Sequence, residues 1–406
     1  MSRGPARRNL VRRRVSLRLP AAYIVYNESM GASAVYIHIP FCRAKCYYCD
    51  FVSYPGLETR HAEYVEALLI EISRATPEGE ITSLYIGGGT PTMLSAAQLA
   101  EILGAVRARF EVADEAEITL EANPGTVEAA KLRELRKAGF NRLSLGVQAM
   151  EDETLQLLGR IHSAQEAIDA YRGARQAGFD NISIDLMYAL PGQSLAQWQE
   201  TLAWAIALQP EHASLYELTI EEGTRFAELF AAGRLPAPEE DLRLEMYEAA
   251  ISELTSAGFE HYEVSNFARP GWRSRHNQVY WRNESYFGFG TGAVRYLNGE
   301  RCALTKSVEQ YIAAVRAGKD AAENCERLTG RRLMGETVML ALRTSEGVEL
   351  AEFARRFGVE LTEVYGESVA ALQREGLVEV AGGRLRLTHR GLLLANQVSL
   401  EFVEAD

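Results

Sequence analysis

Three cysteines stand close together at Cys42, Cys46 and Cys49, with the spacing C-x3-C-x2-C. Thiolates are soft ligands that suit zinc or iron–sulfur clusters. Structural zinc prefers four protein ligands, and we expect no fourth ligand near this segment. Three thiolates on one short loop instead suit a 4Fe–4S cluster whose fourth iron keeps an open position. Three unrelated cysteines, or a zinc site completed from elsewhere, are the alternatives.

The other two cysteines, Cys302 and Cys325, lie far from this segment. The chain has five cysteines, an odd number, and three of them lie within eight residues. This pattern argues against the disulfide framework of a secreted protein. We therefore expect reduced thiols and a cytoplasmic protein. No apolar run approaches the roughly 18 residues of a membrane span. The net charge of −12 argues against broad, non-specific nucleic-acid binding, which requires positive charge.

The first 29 residues differ from the rest, because they hold seven arginines and one acid. Organelle transit peptides have this composition. A disordered basic tail over 1–29 is the interpretation that we favour, and Met30 is a candidate start codon.

The elements that must position the cysteines alternate between strand and helix patterns. Each predicted strand is a short apolar run, and each predicted helix has helical periodicity. This order predicts parallel strands in an α/β fold, as a partial or full (βα) barrel, with a doubly wound sheet as the alternative. Chemistry is then expected at the carboxyl ends of the strands. The predicted strands are 34–40, 82–86, 117–121, 141–147, 181–186 and 213–218, and the predicted helices are 61–74, 96–110, 127–138, 164–177 and 195–207.

An Ala-Gly-Phe motif recurs at Gly139, Gly178 and Gly258. In each copy the glycine is expected to end a helix in the left-handed conformation before a strand. We place the barrel at 30–265, a connecting segment at 266–330, and a small C-terminal domain at 331–406. Three helices (337–343, 350–357 and 361–375) and a hairpin turning at Gly382-Gly383 make that domain resemble a winged helix.

The cysteine spacing after the first strand resembles the radical S-adenosylmethionine (SAM) superfamily. Gly87-Gly88-Gly89-Thr90-Pro91 after the second strand agrees with it, as do polar residues at later strand ends. The resemblance implies that the cluster binds SAM and, with an electron donor, cleaves it to a deoxyadenosyl radical. Taken singly, these residues are equally typical of turns and helix caps. The SAM-binding residues implied are Tyr36, Tyr48, Gly88, Gly89, Thr90, Glu121, Gln148, Arg160 and Asp185.

Within that superfamily, residues 33–406 resemble the HemW-type heme chaperones, which are related to oxygen-independent coproporphyrinogen III oxidase. The oxidase follows its third cluster cysteine with Gly-Cys, whereas Cys49 is followed by Asp50-Phe51. The chaperones carry an H-N-x-x-Y-W motif, present here over 276–281. Val294 stands where many relatives have histidine, which puts a role for that side chain in doubt.

The resemblance implies that heme binds at His276, Asn277, Tyr280 and Trp281. Imidazole and phenol groups ligate heme iron, aromatic rings pack on porphyrin, and arginines pair with propionates. A buried aromatic cluster with one hydrogen-bonded histidine is the alternative.

Three functions compete. The first is a heme chaperone that transfers heme to an acceptor, which could itself be attached to a membrane. The second is coproporphyrinogen oxidation. The third is a cluster-based regulator that binds DNA through the C-terminal domain, although its arginines are interleaved with acids, so we expect no nucleic-acid partner.

Overall fold

The structure is a computed structural model that describes residues 32–236 and 239–403. The predicted basic tail, residues 1–29, and Met30 lie outside the described residues. The described chain forms a twelve-stranded mixed sheet and a separate three-stranded sheet near the C-terminus.

The large sheet has the strand order β12-β11-β10-β9-β1-β2-β3-β4-β5-β6-β8-β7. Strands β9 and β1 to β6 run parallel to one another. The outer pairings, β9 with β10, β10 with β11, β11 with β12, β6 with β8 and β8 with β7, are antiparallel. Because β12 and β7 remain at its edges, the sheet is an open, partial barrel. Its strands are β1 (Ala34–Ile39), β2 (Ile81–Gly88), β3 (Val112–Ala122), β4 (Arg142–Gln148), β5 (Ile182–Tyr188), β6 (His212–Glu217), β7 (Glu260–Glu263), β8 (Asn266–Ala268), β9 (Tyr286–Phe289), β10 (Val294–Leu297), β11 (Glu300–Leu304) and β12 (Ala322–Arg327).

Helices cover the outer face of this sheet. Ser95, Ser163 and Ser194 begin three of them with capping boxes, in which serine and a Glu or Gln three residues later satisfy each other's backbone N–H groups. The helices up to the C-terminal domain are α1 (His61–Arg74), α2 (Ala96–Arg109), α3 (Ala129–Ala138), α4 (Asp152–Leu157), α5 (Ala164–Gln176), α6 (Leu195–Ala207), α7 (Arg225–Ala231), α8 (Glu240–Ser256), α9 (Arg275–Trp281) and α10 (Val308–Arg316).

Successive side chains along each parallel strand alternate between the helix-covered outer face and the lumen of the barrel. Outward residues such as Ile37, Leu84 and Leu120 are fully buried in the core against the helices. Inward residues are polar: Ser144 on β4 donates a hydrogen bond to Asp185 on the adjacent strand β5. A period of two is what a strand imposes on its side chains. The barrel lumen is therefore a polar chamber with an apolar outer wall.

All three copies of the glycine repeat end a helix in the left-handed conformation before a strand, as predicted. Gly139 and Gly178 have φ of 112° and 93°, and each leads into a parallel strand. Gly258 also has positive φ, but the strand that follows it is β7, which pairs antiparallel with β8. The third copy therefore starts the edge of the sheet rather than another parallel unit.

The C-terminal domain has its own apolar core, built around Val338, Tyr365 and Leu385. Helix α11 begins at Gly330, earlier than the predicted start at residue 337. The prediction began late because glycine is a weak helix former and Gly335 lies inside the helix. Glycine is needed at this position because the Phe402 carbonyl approaches its backbone closely. The elements are α11 (Gly330–Leu342), β13 (Val348–Glu349), α12 (Leu350–Phe357), α13 (Leu361–Arg374), β14 (Val378–Ala381), β15 (Arg384–Leu387), α14 (His389–Leu393) and α15 (Ala395–Leu400).

The expectation of five reduced thiols is wrong for one pair. Cys302 and Cys325 are directly opposite each other on β11 and β12 and form a disulfide. Two cysteines paired across neighbouring strands have the short Cα separation that a disulfide needs, here 4.1 Å. Their separation of 23 positions along the sequence concealed this pairing.

Candidate radical SAM site and heme segment

The three clustered cysteines lie on the loop after β1, at the carboxyl end of the parallel strands, and all three are free thiols. Burial raises the pKa of the Cys42 and Cys49 thiols. Each of the three sulfurs has one polar neighbour: Thr90 Oγ1 lies 3.4 Å from Cys42 Sγ, Arg160 Nη1 lies 3.5 Å from Cys46 Sγ, and Ser53 Oγ lies 3.9 Å from Cys49 Sγ. A group that donates a hydrogen bond to a sulfur favours the thiolate, which is the form that binds metals.

His38 is the histidine nearest to this loop in the sequence, and its ring is already engaged. Nδ1 lies 3.0 Å from the Tyr36 hydroxyl, and Nε2 donates to the Val52 carbonyl at 2.7 Å. Burial lowers the pKa of His38, so the ring is neutral. The donor set of three thiols fits a cluster with one iron open to another ligand.

The glycine run packs directly against the cysteine loop. A Cβ atom on Gly89 would lie 2.7 Å from the Phe41 carbonyl and 3.1 Å from Cys42 Sγ. A Cβ on Gly88, where φ is 112°, would lie 2.6 Å from the His38 ring. Glycine is therefore needed here for contact with the protein's own loop, in addition to any approach by a ligand.

Glu121 holds the same segment from β3. The Gly88 N–H donates to its Oε2 at 3.1 Å, and the Tyr85 hydroxyl donates to Oε1 at 2.7 Å. Burial, together with the nearby Asp185 carboxylate, raises the pKa of Glu121 to about 7. A carboxylate in this state suits a positively charged partner such as an ammonium group.

Asp185 faces the lumen from β5. It accepts hydrogen bonds from Ser144 Oγ at 2.9 Å and Ser183 Oγ at 3.1 Å, and burial raises its pKa. Because the Asp185 carboxylate contributes to the raised pKa of Glu121, the two carboxylates lie near one another in the lumen.

The end of β4 completes this side of the chamber. Gln148 has φ of 71°, a left-handed conformation that non-glycine residues seldom adopt. Arg160 donates to the Gly146 carbonyl and approaches Cys46. Tyr48 lies beside them, where burial raises its pKa and the Arg160 charge opposes that effect. Of the residues predicted for SAM, Thr90 and Arg160 thus lie within hydrogen-bond range of a cysteine sulfur, and Glu121 contacts the glycine run beside the cysteine loop.

The H-N-x-x-Y-W motif forms α9, a short helix against the inner face of β2. His276 is 1% exposed, and both of its ring nitrogens are engaged, with Ser83 Oγ at 3.1 Å and the Tyr280 hydroxyl at 2.8 Å. Its ring stacks on Tyr85 at 5.2 Å. Burial lowers the pKa of His276 to about 3, so the imidazole is neutral.

The remaining motif residues face different surroundings. Tyr280 lines a lumen cavity of about 330 Å³ together with Tyr36, His38 and Val294. Trp281 instead lines a cavity of about 1060 Å³ between the barrel and the C-terminal domain. The backbone N–H of Asn277 donates to Ser274 Oγ at 3.3 Å, which caps the helix. Helix α9 therefore separates the two cavities.

Sequence reasoning missed Glu117, Arg142 and Tyr85, which lie on the lumen face and connect α9 to the strands. Glu117 accepts hydrogen bonds from the backbone N–H groups of Arg275 and His276, at 3.1 and 3.2 Å. The signal was present, because Glu117 and Glu121 fall on the same face of an alternating strand. Polar residues in otherwise apolar strands mark the lumen.

Comparison with known proteins agrees with this geometry. Residues 36–205 match the radical SAM superfamily, and residues 328–394 match the HemN C-terminal domain. Heme chaperone HemW of Bacillus subtilis is 38% identical over 90% of this chain and 97% of its own length. Heme chaperone HemW of Escherichia coli is 43% identical over 68% of this chain and 73% of its own length.

The fold is also similar to a solved structure. Coproporphyrinogen III oxidase from Escherichia coli, a radical SAM enzyme, superposes with a TM-score of 0.80 at 26% identity, over 92% of this chain and 90% of that one. The likeness extends over both the partial barrel and the C-terminal domain.

Proposed function

Because the chain belongs to the HemW family of the radical SAM superfamily, we propose that it binds heme and transfers it to an acceptor protein. The observation that carries this proposal is the position of α9. This helix puts an imidazole, a phenol and an indole between a polar lumen and a large cavity. These three groups supply an iron ligand and flat faces for a porphyrin.

Superfamily membership implies a 4Fe–4S cluster and SAM. Cys42, Cys46 and Cys49 would hold the cluster, whose open iron would chelate SAM. Gly88, Gly89, Thr90 and Glu121 would line the SAM site on one side, and Tyr36, Tyr48, Gln148, Arg160 and Asp185 on the other. The neutral His38 and the raised pKa of Glu121 support this division of roles.

His276 and Tyr280 are proposed as candidates for the heme iron, with Asn277 and Trp281 as neighbours of the porphyrin. A neutral imidazole is the form that ligates iron. Since His276 Nε2 lies 2.8 Å from the Tyr280 hydroxyl, ligation by His276 requires Tyr280 to turn away. Tyr280 borders the lumen cavity, on the other side of α9 from the cavity that Trp281 lines.

The partners follow from this function. We propose an acceptor protein for heme and an electron donor for the cluster, in the cytoplasm and without nucleic acid. Within the described residues, none of the helices has the length and apolar character needed to cross a membrane. In the C-terminal domain, Arg355 pairs with Glu352 and Arg384 with Glu349, which disfavours the DNA-binding alternative.

Coproporphyrinogen oxidation is the second candidate, favoured by the likeness to the solved oxidase. Against it stands Asp50-Phe51 after Cys49, where the oxidase family has Gly-Cys. Asp50 and Phe51 border the lumen cavity, so this departure changes the wall beside the cluster loop.

Heme titration of a double variant tests the proposal. His276→Ala with Tyr280→Ala should weaken heme binding at least tenfold without lowering the iron content of the cluster, because the two sites use separate residues. His389→Ala is the control, since that side chain is exposed and lies in the C-terminal domain. Tyr280→Phe keeps the volume of the ring and removes only its hydroxyl. Wild-type heme affinity in the double variant would remove α9 from the heme site.

A further inference from the structure

We propose that the cavity between the barrel and the C-terminal domain holds the porphyrin, with Arg282 and Arg356 binding its two propionates. This inference rests on the proposed heme-binding function. It concerns the ring and its carboxylates. Neither His276 nor Tyr280 lines this cavity, so whichever of them ligates the iron must turn toward it.

The cavity lies at the amino ends of the parallel strands, opposite the cysteine loop. Ser33, Glu80 and Ser285 line it immediately before β1, β2 and β9, and the C-terminal domain closes the other side. Its volume is about 1060 Å³, against about 330 Å³ for the lumen cavity. Ligand sites span roughly 300 to 1,000 Å³, so a ligand as large as a tetrapyrrole is better matched to the larger cavity.

The walls of this cavity offer flat and apolar surfaces from both domains. Trp281 contributes from α9, Met334 from α11 and Phe357 from α12. The indole Nε1 of Trp281 is shielded from solvent and has no hydrogen-bond partner among the described residues. Aromatic faces and a thioether are suitable neighbours for a porphyrin plane.

The charges of the cavity single out two arginines. Three of the five lining arginines are paired with carboxylates: Arg273 with Glu346, Arg355 with Glu352, and Arg384 with Glu349. Arg282 and Arg356 have no acidic partner within 4 Å among the described residues. Two guanidinium groups without carboxylates match a ligand that carries two carboxylates.

The two arginines meet at the end of α9. Arg356 donates to the backbone carbonyls of Arg282 and Asn283, at 3.0 and 2.8 Å. Among the described residues, the Arg282 side chain donates to Gln278 alone, at 3.2 Å, and it is exposed. Arg356 therefore joins α12 to the helix of the heme motif, while Arg282 is free to turn toward a ligand.

Glu284 lies close to both arginines and competes with a bound carboxylate. Burial raises its pKa, while Arg282 and Arg356 act in the opposite direction. Glu80 also borders the cavity and is exposed. Removing the charge of Glu284 should therefore leave the arginines more available to propionates.

Titrations with heme and with heme dimethyl ester test this assignment on the full-length protein. Arg282→Gln should weaken heme binding about tenfold, since a charge-assisted hydrogen bond is lost, and should leave the binding of the ester unchanged. Glu284→Gln should strengthen heme binding a few-fold. Arg355→Gln is the matched control, because that arginine borders the same cavity but is paired with Glu352, and it should stay within twofold of wild type.

Equal heme affinity in Arg282→Gln and wild type would overturn the assignment, as would equal losses for heme and its ester. Absence of saturable heme binding in the wild-type protein would instead refute the proposed function itself, and this inference with it. The two failures are therefore distinguishable in one set of titrations.

Discussion

Replacing Glu117 by glutamine should loosen the helix that carries the heme motif while leaving the cluster loop intact. Glu117 is 7% exposed, and its carboxylate accepts the first backbone N–H groups of α9, from Arg275 and His276. Its charge also raises the pKa of the buried Arg142, against the effect of burial. Glutamine keeps the shape of the side chain but removes the charge.

The size of the effect follows from these contacts. A hydrogen bond to a charged group contributes about 1.5–3 kcal/mol. Glutamine can still accept one of the two N–H groups, so we expect the free energy of unfolding to fall by about 1.5–3 kcal/mol. Heme affinity should fall as well, because α9 loses its fixed position.

Denaturant unfolding of the apoprotein and heme titration of the reconstituted protein measure both effects. Glu115→Gln is the control on the same strand, because the Glu115 side chain is exposed, and it should change the unfolding free energy by less than about 0.5 kcal/mol. If Glu117→Gln is as stable as this control, Glu117 does not hold α9 and the reasoning fails.

Three further predictions concern the cofactors and pH. Cys46→Ser should abolish the cluster, whereas Cys302→Ser and Cys325→Ser should retain about four irons per chain, as measured by iron analysis. SAM affinity should fall about tenfold from pH 8 to pH 6 in calorimetric titrations, because Glu121, with a pKa of about 7, becomes protonated and no longer attracts an ammonium group; a flat profile would contradict this role. Burial also raises the pKa of Glu263 to about 7, so this side chain keeps a proton in the folded protein that the unfolded chain releases above its ordinary pKa of 4.5. The contribution of Glu263 to the free energy of unfolding should therefore fall by at most about 3 kcal/mol as the pH rises from 4.5 to 7. In denaturant unfolding at several pH values, Glu263→Gln should remove this contribution and leave the one due to Glu121.

Local signals in the sequence located most of the barrel. Helices α1 and α6 have the predicted bounds, His61–Arg74 and Leu195–Ala207, because apolar periodicity and capping residues are local properties. The same holds for the cysteine loop and the glycine run, whose roles depend on spacing along the chain.

Properties that depend on distant contacts escaped prediction. The Cys302–Cys325 disulfide depends on the register of two strands, and the cap that Glu117 provides to α9 joins residues about 160 positions apart. The hydrogen bond between His276 and Ser83 has the same origin, since Ser83 lies on β2, far from α9 in the sequence. The second partner of His276, Tyr280, lies four residues further along the same helix. The spacing of residues along the chain also does not reveal the large cavity, because this cavity forms where the barrel and the C-terminal domain meet.

The most direct test of heme delivery as the function is one anaerobically reconstituted sample divided between two assays. One half is titrated with heme, and the other is incubated with coproporphyrinogen III, SAM and a reductant. Saturable binding of heme, with no conversion of coproporphyrinogen III to its divinyl product, is the predicted result. Conversion to that product without saturable heme binding would contradict the account and support the oxidase function.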